Sequence, residues 1–218
     1  QAAFGDVLLH AAQDMHTTGA EDQIDAAKLL VRSLRTFLVQ SGYNPDELRG
    51  LAKSVTFFRT IGRTWPKQQA YPRTLWLRRA SLYHLSRLRI RNAFALRTPR
   101  TDALTKQLLG LCLSNYVAIR KMAQSTFASV CIAYDGSRAL CLPKVLETLR
   151  PGVADDQVKG ALYVLANKGY ARTVVRNARF TRSVLMALLH IDHAKPSIQK
   201  LVRGVLNDEV GRLNEPAL

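Results

Sequence analysis

Ile119-Arg-Lys-Met-Ala-Gln-Ser-Thr126, Val158-Lys-Gly-Ala-Leu-Tyr-Val-Leu165 and Ile198-Gln-Lys-Leu-Val-Arg-Gly-Val205 decide the fold, because they are three versions of one pattern. They recur roughly 40 residues apart. With Ile119, Val158 and Ile198 superposed, Met122 meets Ala161 and Leu201, Ala123 meets Leu162 and Val202, and Thr126 meets Leu165 and Val205. Positions i, i+3, i+4 and i+7 share one face of a helix, so each segment reads as the inward helix of a repeating unit. Arg120, Lys159 and Gln199 follow the first apolar position each time. Partner helices are expected before them, near Ala103–Leu113, Arg138–Leu149 and Arg172–Leu189. Two helices per period of this length predict an all-α chain, an α-solenoid of HEAT or armadillo type.

Working outward, the chain divides into 1–61 as divergent helical repeats, 62–101 as a basic loop and Arg-rich helix, 102–210 as the repeats, and 211–218 as a tail. A helix over Asp6–His16 is expected to turn Val7, Leu8 and Ala11 inward. Another over Asp22–Gln40 buries Ile24, Ala27, Leu30, Val31, Leu34, Phe37 and Leu38 and closes at Ser41-Gly42. A third opens at Pro45, with Leu48, Leu51, Ala52, Val55 and Phe58 inside, and pairs with the second as a further repeat. Gly62–Arg73, with Pro66 and Pro72, reads as a loop carrying Trp65 and Tyr71, which pack on a neighbouring repeat or stack on bases. The helix Arg73–Phe94 is expected to bury Leu75, Trp76, Ala80, Leu82, Tyr83 and Leu88, and Arg97–Asp102 connects it to the repeats. In the repeats, Asp135-Gly136 turns, Ser137 caps, Pro143 kinks, and Pro151-Gly152 and Lys168-Gly169 terminate helices. Asp155 and Asp156 favour a helix N-terminus, and Pro196 opens the last helix.

Charge is the second signal. The 218 residues carry 32 Lys+Arg against 16 Asp+Glu, a net +16. Between Glu47 and Asp102 there is no acid but there are Arg78, Arg79, Arg87, Arg89 and Arg91. Between Asp156 and Asp192 the same holds, with Arg172, Arg176 and Arg179. Such windows repel themselves unless a polyanion or an acidic protein surface neutralises them. These eight arginines are the candidate polyanion-binding residues, and Arg87, Arg89 and Arg91 converge only if the helix ends near Leu88. No run of 18 apolar residues appears, so no membrane-spanning helix is expected. The start lacks a methionine and a signal-peptide pattern, which predicts a piece of a longer chain. Cys112, Cys131 and Cys141, at unrelated spacings inside apolar patterns, read as reduced core residues. His190 and His193 share a predicted helix end with no third metal ligand. No phosphate loop, nucleophile elbow or Cys-His spacing is present, so no enzymatic activity is expected.

Asn115-Tyr-Val-Ala-Ile-Arg-Lys-Met-Ala-Gln-Ser-Thr126, Tyr134-Asp-Gly-Ser-Arg138 with Leu142-Pro143, Asp155–Leu165 and Pro72-Arg-Thr-Leu-Trp-Leu-Arg-Arg-Ala80 resemble the large HEAT-repeat proteasome activators of the bleomycin-sensitivity family. The resemblance covers most of Asp22–Val210. It implies a solenoid that caps the proteasome core particle and promotes ubiquitin-independent degradation of peptides and acetylated histones. It also implies links to DNA repair, a nuclear and cytoplasmic location, and basic openings that hold an inositol polyphosphate. Gate opening in that family uses a penultimate tyrosine, whereas this chain ends Asn214-Glu-Pro-Ala-Leu218, so it is not expected to open the gate by itself. The family's acetyl-lysine reading would need an asparagine near a tyrosine. Asn115-Tyr116 and Asn167 with Tyr163 or Tyr170 are the local candidates, and the role is not carried onto them. The alternatives are a nucleic-acid-binding HEAT protein or an acetyl-lysine-reading helical module. An import adaptor would want acidic inner surfaces, the opposite sign.

Overall fold

The computed structural model describes residues 2–17, 23–40, 45–64, 72–93, 96–134, 136–167, 170 and 177–213. Their regular structure is helical: α1 (Ala2–Thr17), α2 (Ile24–Arg35) running into a π-helical turn (Thr36–Gln40), α3 (Pro45–Thr64), α4 (Pro72–Ala93), α5 (Pro99–Cys112), α6 (Val117–Ala133), α7 (Ser137–Glu147), α8 (Asp155–Ala166), α9 (Ala178–Leu189) and α10 (Pro196–Leu213). They form two units, residues 1–38 with 96–218, and residues 39–95.

The first unit is a stack of helical hairpins in two layers. Along one layer α1 packs on α5, α5 on α7 and α7 on α9; along the other α2 packs on α6, α6 on α8 and α8 on α10. Between layers the hairpin partners α1/α2, α5/α6, α7/α8 and α9/α10 touch. This is the predicted α-solenoid, and its core follows the repeat register. Ile119, Val158 and Ile198 are buried, as are Ala123, Leu162 and Val202, and Thr126, Leu165 and Val205; of Met122, Ala161 and Leu201 only Ala161 is buried, the longer two being half-buried at the edge of the face. Phe127 and Tyr170 fill the middle, ring centroids 5.8 Å apart, and the Tyr170 hydroxyl donates to the Arg138 carbonyl at 3.2 Å.

Close approaches hold the hairpins together. Gly160 lies where α8 crosses the end of α5: a Cβ there would fall 2.9 Å from the Cys112 carbonyl oxygen and 3.0 Å from Leu113 Cα. The Gln124 amide bridges the same crossing, donating to the Cys112 and Gly160 carbonyls at 3.2 Å each. Gly5 lets α1 approach α5, where Arg100 grips Asp6 with two parallel bonds of 2.8 and 3.0 Å. Tyr134 Oη donates to the Leu38 carbonyl at 2.9 Å, taking up a carbonyl in the π-helical turn.

Several local expectations change. In α1 the buried residues are Gly5, Leu8 and Ala12, while Val7 and Ala11 face solvent. The helix starts earlier than expected, at Ala2, and turns the face carrying Gly5, Leu8 and Ala12 inward. The helix pair expected over residues 22–58 is divided between the units, since α2 stacks beside α6 and α3 packs on α4. Residues 39–95 therefore interrupt the repeat series in sequence, between the α1/α2 and α5/α6 hairpins. Residues 62–64 continue α3, and the connector before the repeats is already helical from Pro99. There Thr98 and Thr101 cap α5 reciprocally, each side-chain oxygen accepting the other's backbone N–H. Ser137 does not cap α7: Gly136 holds the N-cap position at φ +78°, and the Ser137 hydroxyl is buried with no hydrogen-bond partner among the described residues. The partner helix expected from Arg172 begins at Ala178, capped by the Asn177 carboxamide, which accepts from the Arg179 and Phe180 amides. The glycine stops at Gly42 and Gly169, with Trp65 and Tyr71, lie outside the described residues.

The second unit contains the α3/α4 hairpin. Leu48, Val55 and Leu85 are its buried apolar residues among those described. Ala52 and Ala80 face solvent, and Trp76 and Tyr83 are 74% and 67% exposed, against the expectation that they fill a core. The apolar positions of α4 are spread around the helix, so most cannot be turned inward together.

Candidate cation surfaces

The predicted polyanion set is not gathered into one site. Arg78, Arg79, Arg87 and Arg89 belong to the second unit, and Arg179 to the first. Arg91 lies in α4 with its side chain outside the described residues, as are Arg172 and Arg176 entirely. Arg78 is half-buried in packing: its guanidinium donates to Ser54 Oγ and lies 4.5 Å from the Phe58 ring centroid. Arg87 sits 5.9 Å from the Tyr83 ring centroid, and Arg79, Arg87 and Arg89 are exposed. Because α4 continues to Ala93, Arg87 and Arg89 diverge by about 200° around its axis. The convergence that a helix end near Leu88 would have allowed does not occur. These arginines present a broad positive surface instead of a cage.

A second cation-rich surface, which no run of charge along the chain marks, lies in the first unit. A cleft of about 760 Å³ is lined by one stripe from each of three successive helices: Val117, Arg120, Lys121 and Gln124 of α6, Lys159, Tyr163 and Ala166 of α8, and residues 197–208 of α10. Its four cations, Arg120, Lys121, Lys159 and Lys200, face one carboxylate, Asp208. Arg120 is buried and committed, donating to the Ser114 and Asp156 carbonyls at 3.1 and 3.4 Å. Lys159 stands 3.8 Å from the Asp156 carboxylate. Lys121 and Lys200 are exposed and have no ion-pair partner among the described residues. The signal was present in the alignment itself: Arg120 meets Lys159, and Lys121 meets Lys200. Residues about 40 apart form no charge run, and only stacking brings them together.

No family model matches the chain. Over 151 residues, 67% of the chain, it is 30% identical to human (Homo sapiens) proteasome activator complex subunit 4. Over 147 residues, 65% of the chain, it is 26% identical to proteasome activator subunit 4 of Arabidopsis thaliana. The chain is similar to proteasome activator subunit 4. Each match spans 8% of the activator subunit's length.

The other candidate residues are dispersed. Asn115 is exposed before α6, Asn167 is the C-cap of α8, and Tyr170 is fully buried with its hydroxyl bonded; Tyr163 alone of these lines the cleft. His190 and His193 do not share a helix face, because α9 ends at Leu189. His190 Nδ1 lies 2.6 Å from the Met186 carbonyl. His193 Nδ1 accepts from the Lys195 amide at 3.1 Å, which leaves the proton on Nε2 to face Asp155 Oδ1 at 3.2 Å. Lys195 holds the other Asp155 oxygen. The Lys195 hydrogen bond first, then the Lys195 charge and the His193 hydrogen bond, lower the Asp155 pKa from its ordinary 3.8, and the Asp155 hydrogen bond and charge raise that of Lys195. The cluster fastens the α9–α10 connection to the start of α8.

Cys112, Cys131 and Cys141 are buried free thiols. Burial pushes Cys131 and Cys141 up to about 12, and Cys112 well above its ordinary value. Among the described residues, no group of three or more His, Cys, Asp and Glu side chains can hold a metal ion, and no helix is long and apolar enough to cross a membrane.

Proposed function

We propose that this chain supplies a helical-repeat section of a proteasome activator, a non-enzymatic scaffold that caps the proteasome core particle and promotes ubiquitin-independent degradation. The observation that carries the reading is similarity to activator subunits from a human and a plant over about two thirds of the chain. The two-layer hairpin stack is the architecture such a scaffold needs, since successive hairpins pack on one another and an array of this kind extends without a closed core. Within that reading, the exposed arginines of α4 attract polyanions as a spread surface and not as a cage around one molecule, with an inositol polyphosphate as the expected ligand and acetylated histones as the expected substrate class.

Co-sedimentation with purified core particles, together with fluorogenic peptide hydrolysis, tests the proposal for the protein in its full-length context. Retention on the core particle and accelerated hydrolysis are expected; loss of both overturns it. Inositol hexakisphosphate is expected to raise the thermal midpoint, because a ligand bound by the folded state alone adds about 2.7 kcal/mol at a hundredfold excess over its Kd. Charge reversal at Arg79, Arg87 and Arg89 should abolish that shift. A larger shift with a DNA duplex, falling steeply with salt, would favour the nucleic-acid reading instead.

A further inference from the structure

We propose that the α6/α8/α10 cleft binds an extended acidic peptide segment, a site separate from the α4 arginine surface and independent of it. Three features select this ligand. The first is length. The α10 stripe from Ser197 to Asp208 runs about 17 Å along the helix, room for about five residues of extended chain.

The second is the kind of cation on offer. Phosphates are gripped best by the guanidinium fork, which donates two parallel bonds. The cleft's one guanidinium, Arg120, is spent on the Ser114 and Asp156 carbonyls, with the Asp156 carboxylate 3.9 Å away. The cations left over are ammonium groups on separate helices, Lys121 on α6 and Lys200 on α10. Two separated point charges match two carboxylates spaced along a chain better than one dense cluster of phosphates.

The third is the rest of the lining. Val117, the half-buried Leu201 and the half-exposed ring of Tyr163 supply apolar contact that an inositol phosphate cannot use. Asp208, the cleft's carboxylate, sits two helical turns beyond Lys200, where it can accept a peptide N–H, a donor that a polyphosphate lacks. The ligand is therefore a short extended segment in which acidic and apolar side chains alternate.

Fluorescence anisotropy tests this with a fluorescein-labelled hexapeptide of alternating Glu and Leu. The Gln/Leu and Lys/Leu counterparts, inositol hexakisphosphate and a short single-stranded DNA serve as competitors. The Glu/Leu peptide is expected to bind, its two counterparts not to compete, and K121E/K200E to weaken binding about tenfold or more. Both lysines are exposed, so circular dichroism and the thermal midpoint of that variant should be unchanged. R79E/R87E/R89E should leave peptide binding intact while removing the response to inositol hexakisphosphate, which separates failure of this site from failure of the α4 surface. Absence of peptide binding, binding indifferent to K121E/K200E, or displacement by inositol hexakisphosphate or DNA at lower concentration than by unlabelled peptide would each overturn the assignment.

Discussion

Gly160 shows how one missing carbon sets a helix crossing. In an open helix position alanine is better than glycine by about 1 kcal/mol. At Gly160 the added carbon meets backbone of α5 that cannot swing aside, and overpacking of this kind costs about 1–3 kcal/mol. G160A is therefore expected to lower the denaturation midpoint of the first unit. G204A, whose methyl meets nothing within 4 Å, is expected to raise the midpoint, stabilising the unit by up to about 1 kcal/mol. The buried thiols make a second prediction at this scale. With Cys131 and Cys141 pushed up to about 12 and Cys112 also raised, thiolate is scarce at pH 8 and the groups are covered. Labelling by a disulfide reagent should wait for unfolding, and three thiols should then react together.

At the scale of the element, the Asp155 cluster fixes where α8 begins and where the chain enters α10. The carboxyl pKa is lower folded than unfolded, so the stabilisation is present above the ordinary value of 3.8 and lost as pH falls through the folded value. Melting curves between pH 3 and 6 should show a decline below about pH 4 that D155N flattens. Because Lys195 and Asp155 report one interaction, K195A should remove part of the same window and not a second one. The capping box of α5 is the other element-scale device. T98A is expected to cost about 1 kcal/mol, read from chemical denaturation, because the Thr101 N–H loses its acceptor while the Thr98 N–H keeps Thr101 Oγ1.

At the scale of the whole molecule, the two units differ in how much apolar surface they bury. The first has a continuous core through both layers, whereas Leu48, Val55 and Leu85 are the buried apolar residues described in the second. Opening free energy follows buried contact, so hydrogen exchange should be faster in α3 and α4 than in α5, α6 and α8. Mass spectrometry of deuterium uptake would show it; equal protection in both units would contradict the division.

The repeat was legible in the sequence because hairpin cores obey a local rule: apolar residues at helical spacing, set about 40 residues apart, face the same way wherever the hairpins are stacked. By itself the sequence determined the all-α class, the buried register from Ile119 to Val205, the reduced core cysteines and the acidic start of α8. The pairing of α1 with α2, the interruption of the repeat series by residues 39–95, and the exposure of Trp76 and Tyr83 depended on contacts between distant segments. So did the cleft. Arg120, Lys121, Lys159 and Lys200 are unremarkable along the chain, and Arg87 and Arg89 look clustered there. Stacking three helices side by side gathers the first group onto one surface, while the turn of a single helix drives the second pair apart.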